Sequence, residues 1–94
     1  MSDEQTGWCV YILECGDRSL YTGIARDPTA RLIQHNSGKG AKYTRSHLPV
    51  ALVYQEWTST HGDALRREAE IKRLSRREKQ KLIASVGLTE EVQQ

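Results

Sequence analysis

Apolar positions along the chain fall into short runs with different periods. Trp8 to Glu14 (WCVYILE) is apolar almost throughout and rich in β-formers, which predicts a strand covered on both faces. Cys15-Gly16-Asp17-Arg18 supplies a turn, and Leu20 to Ile24 makes the return strand of a hairpin. Asp27-Pro28 reads as a helix start, with Asp as N-cap and Pro at the first helical position. That helix runs to about Asn36 and stops at Ser37-Gly38, and Gly38 to His47 is a basic, glycine-containing loop. Pro49 to Trp57, with Val50, Leu52 and Tyr54 in alternation, predicts a third strand. A second helix begins near Thr60, with Asp63 three residues on, and continues to about Leu74. Ser75-Arg-Arg-Glu78 is a capping box that breaks the helix and starts a third, roughly Arg76 to Val86, ending at Gly87. The order β-β-α-β-α-α predicts an α+β fold: a small three-stranded, mostly antiparallel sheet flanked by helices. Residues 8–86 form its one domain, between a flexible tail at 1–7 and a C-terminal tail at 87–94.

Composition changes this picture in two ways. Ninety-four residues suffice for one core and no second. The net charge of +2 hides an uneven spread: eight of the fourteen Lys and Arg lie between Leu65 and Leu82, whereas the first seventeen residues carry four acids and no base. A basic pole on a near-neutral protein suits a polyanion, and it equally suits a solvated helix face laced with ion pairs. Cys9 and Cys15 are too few for a disulfide framework, the N-terminus lacks a signal-peptide pattern, and no apolar run spans a membrane. The expectation is a reduced, cytoplasmic protein.

Three features bear on chemistry. On the second helix Glu68 falls within the apolar arc of Ala64, Ile71 and Leu74, while Glu70 points away from it. A carboxylate so placed needs a cation: either a salt bridge, to Arg31 or Lys72, or a hard divalent ion that prefers oxygen donors. On the first helix Arg31 and His35 share a face at the margin of the buried side, where an Arg suits bidentate phosphate contact. The three histidines are scattered, with no CxxC or HxxxH pair, which argues against zinc. In the hairpin, Tyr11 and Tyr21 occupy one arm each, either as core residues with satisfied hydroxyls or as reactive phenols. A one-residue slip in register would send one of them to the opposite face. Gly23 within the second strand marks a close backbone approach or a bulge, and Tyr43 in the basic loop suits stacking on a base.

In order and spacing these pieces resemble the GIY-YIG nuclease superfamily, in its small, single-domain bacterial form. Cys9-Val10-Tyr11 and Tyr21-Thr22-Gly23 are similar to its two signature elements. Pro28-Thr-Ala-Arg31-Leu-Ile-Gln-His35-Asn36 resembles its P-x-x-R-L-x-x-H-N helix, and Glu68-Ala-Glu-Ile71-Lys72 its E-x-x-I-K segment. The resemblance covers residues 8 to about 84. It implies phosphodiester hydrolysis with one divalent cation, Mg²⁺ or Mn²⁺, held by Glu68. Arg31 would hold the phosphoryl group, Tyr21 would take a proton from the attacking water, Tyr11 would position water or Tyr21, and His35 would assist. Free tyrosine has a pKa of about 10, so Tyr21 in that role needs positive charge nearby. The sequence departs from the pattern at Cys9, Val10 and Thr22, and the late asparagine of some relatives has no counterpart beyond Gln80.

The expected partner is therefore nucleic acid, DNA or RNA, with no membrane and no organic cofactor. Gly23, Lys39, Lys42, Tyr43, Arg45 and Lys72 are the candidate substrate contacts. Nothing resembles a groove-reading element, so sequence specificity should be low. Two rival classes share the same residues: a nucleic-acid-binding module without turnover, and a protein-interaction module whose basic face meets an acidic partner.

Overall fold

The computed structural model describes residues 7–92. Seven elements follow in order: β1 (Trp8–Glu14), β2 (Leu20–Ala25), α1 (Pro28–Asn36), α2 (Lys42–Arg45), β3 (Ala51–Thr58), α3 (His61–Lys72) and α4 (Arg76–Val92). The strands form one antiparallel sheet in the order β2-β1-β3. β1 is thus central and covered on both faces, which is why its apolar run lacks alternation. Cys9, Tyr11 and Leu13 face one core, completed by Leu32 of α1. Val10 and Ile12 face the other, completed by Ala64 and Ile71 of α3 and Leu82 and Ile83 of α4. Both cysteines are free and buried, and burial pushes the Cys9 thiol up to about 11, so it behaves as a small apolar side chain.

The helix starts follow the local chemistry. Asp27 Oδ1 accepts from the Ala30 N–H at 3.0 Å, and Thr60 Oγ1 accepts from the Asp63 N–H at 3.0 Å. Ser75 and Glu78 cap each other reciprocally, at 2.8 and 3.1 Å. The expected stop at Gly87 is corrected: α4 continues through it to Val92. One glycine costs a helix only about 1 kcal/mol, and it ends one only where the chain turns left-handed. The loop expected over residues 38–47 contains the short helix α2, which no capping signal announces. Residues 1–6 of the expected N-terminal tail and 93–94 of the C-terminal one lie outside the described residues.

β3 differs from its simple alternation. Ile12 pairs with Tyr54 but Leu13 pairs with Leu52, so Val53 is an extra, bulged residue. The bulge shifts parity, placing Val50 and Leu52 on the α1 side and Tyr54 on the α3 side. There the Tyr54 hydroxyl donates to Glu56 at 2.6 Å, and Arg67 of α3 donates to the same carboxylate at 3.0 and 3.1 Å. One of the clustered bases is thus engaged in holding α3 to the sheet. At the start of β3, Asn36 accepts from the Val50 N–H and donates to the Val50 carbonyl, at 2.8 and 2.9 Å. This pair ties the end of α1 to the sheet.

Among the described residues one buried side-chain polar atom lacks a partner, Thr22 Oγ1 on the α3 face of β2. A buried hydroxyl without a partner is destabilising, and valine has nearly the same shape. Thr22→Val is therefore expected to raise unfolding stability by about 1 kcal/mol. A denaturant titration checks this, and an unchanged or lower midpoint refutes it.

Candidate active site

The hairpin register decides where the phenols go. Tyr11 lies opposite Gly23 and Leu13 opposite Tyr21, so both tyrosines share the face that receives α1. Tyr11 reaches across Gly23. A Cβ at that position would sit 2.7 Å from the Tyr11 hydroxyl and 2.8 Å from Cζ. Because β2 is an edge strand, the hydroxyl arrives at the edge of the sheet.

The imidazole of His35, on α1, meets this hydroxyl, with Nε2 3.1 Å from the phenol oxygen. Its Nδ1 lies 2.8 Å from Thr44 Oγ1 of α2, and Thr44 in turn donates to the Ala41 carbonyl at 2.8 Å. His35 is 0% exposed, and Gly40 closes over it so tightly that a Cβ there would stand 2.7 Å from its Cγ. Burial, and then the Arg31 charge, hold the His35 pKa below its usual value, so the ring is neutral.

Arg31 stands one turn before His35, and its guanidinium donates to Gln34 Oε1. Burial raises the pKa of Tyr11, the neighbouring Arg31 opposes that, and the nearby Tyr21 and Glu68 raise it again. Arg31, Tyr21, Glu68 and the bonded His35 thus all act on the Tyr11 phenol. Tyr21 sets its ring edge-on to His35, with centroids 5.6 Å apart. Glu68 comes from α3, in the layer on the other side of the sheet. Its side chain is 18% exposed, and Oε2 lies 3.2 Å from Lys72 Nζ, itself 55% exposed. Glu70 points outward and pairs with Arg67 at 3.0 Å.

The structure therefore brings Tyr11, Tyr21, Arg31, His35 and Glu68 together, with Lys72 beside Glu68. Tyr11 is 1% exposed and His35 fully buried, and each touches the other. The close approach that Gly23 permits is made by the Tyr11 ring. Tyr43 is exposed, at 42%, as expected; its ring stacks on His47 at 4.3 Å and parallels Tyr21 at 6.3 Å, and its hydroxyl donates to Ser19 at 2.6 Å. Lys39, Lys42 and Arg45 are exposed, the last two on α2. Thr44 and Gly40 were not singled out from the sequence. Their only signal was the small residues Gly38, Gly40 and Ala41, which let a loop lie close to a helix.

Among the described residues no three His, Cys, Asp or Glu side chains gather as a metal cage. Glu68 is a lone carboxylate facing an edge where Arg31 and Lys72 supply positive charge. None of the described helices is long and apolar enough to cross a membrane.

Comparison with known proteins shows the family. The family model of the GIY-YIG catalytic domain matches residues 7–82. A UPF0213 protein of Staphylococcus epidermidis is 58% identical over 74 residues, 79% of this chain and 90% of that protein. One of Staphylococcus saprophyticus is 56% identical over 75 residues, covering 80% and 92%. The solution structure of a UPF0213 protein from Bacillus halodurans superposes with a TM-score of 0.54 at 47% identity, covering 83% of each chain. A solution structure from E. faecalis gives 0.59 at 38% identity, covering 87% and 88%. With that family model matching residues 7–82 and relatives more than half identical over about four-fifths of the chain, this chain belongs to the GIY-YIG family.

Proposed function

We propose that this protein hydrolyses phosphodiester bonds in DNA or RNA with low sequence specificity, assisted by one divalent cation, Mg²⁺ or Mn²⁺. The observation that carries the reading is the meeting of Tyr21, Arg31 and Glu68, from both layers of the fold, around the Tyr11 hydroxyl at one sheet edge. A single carboxylate fits Mg²⁺, which keeps several waters and completes its shell with substrate phosphate oxygens. Glu68 would hold that ion, whose chemistry is to offset charge on the leaving oxygen.

The chain's own residues supply the rest. Arg31 donates to the non-bridging oxygens of the phosphoryl group as negative charge grows on them. Tyr21, partly exposed beside it, accepts a proton from the attacking water. Tyr11 and His35 work from beneath, holding Arg31 and the Tyr21 ring in place. Lys72 and the exposed Lys39, Lys42 and Arg45 contact the backbone without reading bases.

Labelled single- and double-stranded DNA and RNA, incubated with the protein and Mg²⁺ or Mn²⁺, should be cut, and a chelator should stop the cutting. Binding should weaken steeply as salt rises. Salt-sensitive binding with no cutting on any substrate would instead indicate a binding module. Failure to bind even at low salt would favour an acidic protein partner.

A further inference from the structure

We infer that Thr44 is a positioning residue: it holds His35 as the Nδ1–H tautomer, which commits the hydrogen of the Tyr11 hydroxyl to His35 Nε2 and leaves the phenol oxygen as an acceptor. The inference concerns proton placement in a buried chain, where each polar atom has to find a complementary partner. The chain has two fixed ends. The Ala41 carbonyl can only accept, and it lies 2.8 Å from Thr44 Oγ1. Without a hydrogen between them, two oxygens at that distance repel. The single Thr44 hydrogen therefore lies on that line.

Thr44 Oγ1 must then accept from His35 Nδ1 at 2.8 Å, so Nδ1 carries the proton. A neutral ring has one N–H, which leaves Nε2 as an acceptor. The Tyr11 hydroxyl, 3.1 Å away, donates to it. The lone pairs of the phenol are then left free to accept. Every hydrogen runs in one direction, from Tyr11 through His35 and Thr44 to a backbone carbonyl. Were Nε2 protonated instead, the Tyr11 hydrogen would lose the buried acceptor that Nε2 provides. The seal formed by Gly40 keeps water from supplying a substitute partner to Nδ1.

The tautomer follows from the three hydrogen-bond distances together with a neutral ring. Its consequence for phosphate affinity rests on the reading of Arg31 as the phosphate clasp. ¹⁵N NMR of the histidine rings in the full-length protein distinguishes a protonated from a bare ring nitrogen. His35 should show Nδ1 protonated and Nε2 bare. Thr44→Val, which keeps the shape and removes the acceptor, should move the proton to Nε2, and Thr44→Ser should retain the original form. Thr44→Val should also raise the KM for a cleavable oligonucleotide about tenfold, the scale of one hydrogen bond to a charged group, with Thr44→Ser near wild type. Nε2–H in the wild-type protein overturns the inference, and that measurement needs no variant to fold. A Thr44→Val protein that keeps Nδ1–H overturns it equally. Absence of cleavage in the wild type would defeat the hydrolase reading and leave the tautomer result standing.

Discussion

Glu68→Gln should cut nucleic acid at least about a hundredfold more slowly than the wild-type protein while unfolding at nearly the same temperature. The two halves of this expectation come from different observations. The loss of rate follows from removing the one carboxylate at the site. An amide cannot supply the negative charge that holds a divalent ion, and electrostatic groups aimed at a reacting phosphate are each worth about 10²–10³ in rate. The small effect on stability follows from the surroundings of Glu68. Its visible partner is Lys72, more than half exposed and one helical turn away, and a pair of that kind contributes about 0–1 kcal/mol. Glutamine keeps the shape that fills the margin of the apolar arc. A purely structural Glu68 predicts the reverse: lower stability and whatever activity remains folded. Measuring rate and thermal midpoint on one preparation separates the two, and unchanged cutting by Glu68→Gln would remove the basis of the hydrolase reading.

Much of this site was legible before any coordinates. Helix starts are local signals, and Asp27-Pro28, Thr60 with Asp63, and Ser75 with Glu78 form their caps as their spacing requires. The contrast between Glu68 and Glu70 is equally local, since the turn of a helix sends one toward the sheet edge and the other toward Arg67. What could not be read is long-range. The five-residue connection between β1 and β2 includes Arg18 in the left-handed region, at φ 73°, so turn chemistry did not announce the register that sets both phenols on one face. The bulge at Val53 splits Leu52 from Tyr54 for packing reasons confined to the folded sheet. His35 looked like a marginal surface residue, because its burial depends on Gly40 and Thr44 folding back over it from outside its own helix.

The basic pole also divides once the fold is known. Arg67 is engaged with Glu56 and Glu70, and Arg66 with Asp63. Lys72 pairs with Glu68, while Arg73, Arg76, Arg77 and Lys81 stay exposed, as do Lys42 and Arg45 of α2 outside the pole. The cation content of a helix therefore overstates what a polyanion can meet, and position relative to Arg31 and Glu68 matters more than net charge.

Gly23→Ala should damage both the fold and the reaction, although alanine suits a strand better than glycine does. The backbone at Gly23 is ordinary extended chain, so no conformational strain arises and the added methyl should by itself be mildly favourable. The cost comes from above, where the methyl would stand 2.7 Å from the Tyr11 hydroxyl and 2.8 Å from its Cζ. That ring is buried in the α1-side core and bonded to His35, so it cannot swing aside without breaking that bond. Overpacking of this kind costs about 1–3 kcal/mol. Displacing Tyr11 should also slow cleavage by roughly the hundredfold expected for a misplaced catalytic arginine. Adding Tyr11→Phe should recover part of the lost stability, because the hydroxyl is the nearest atom and the two substitutions share one contact. If Gly23 instead served to admit the substrate, Gly23→Ala would raise KM, leave the thermal midpoint alone and show no coupling to Tyr11. Unchanged stability with additive effects would therefore return the glycine to the substrate and deny it to the phenol.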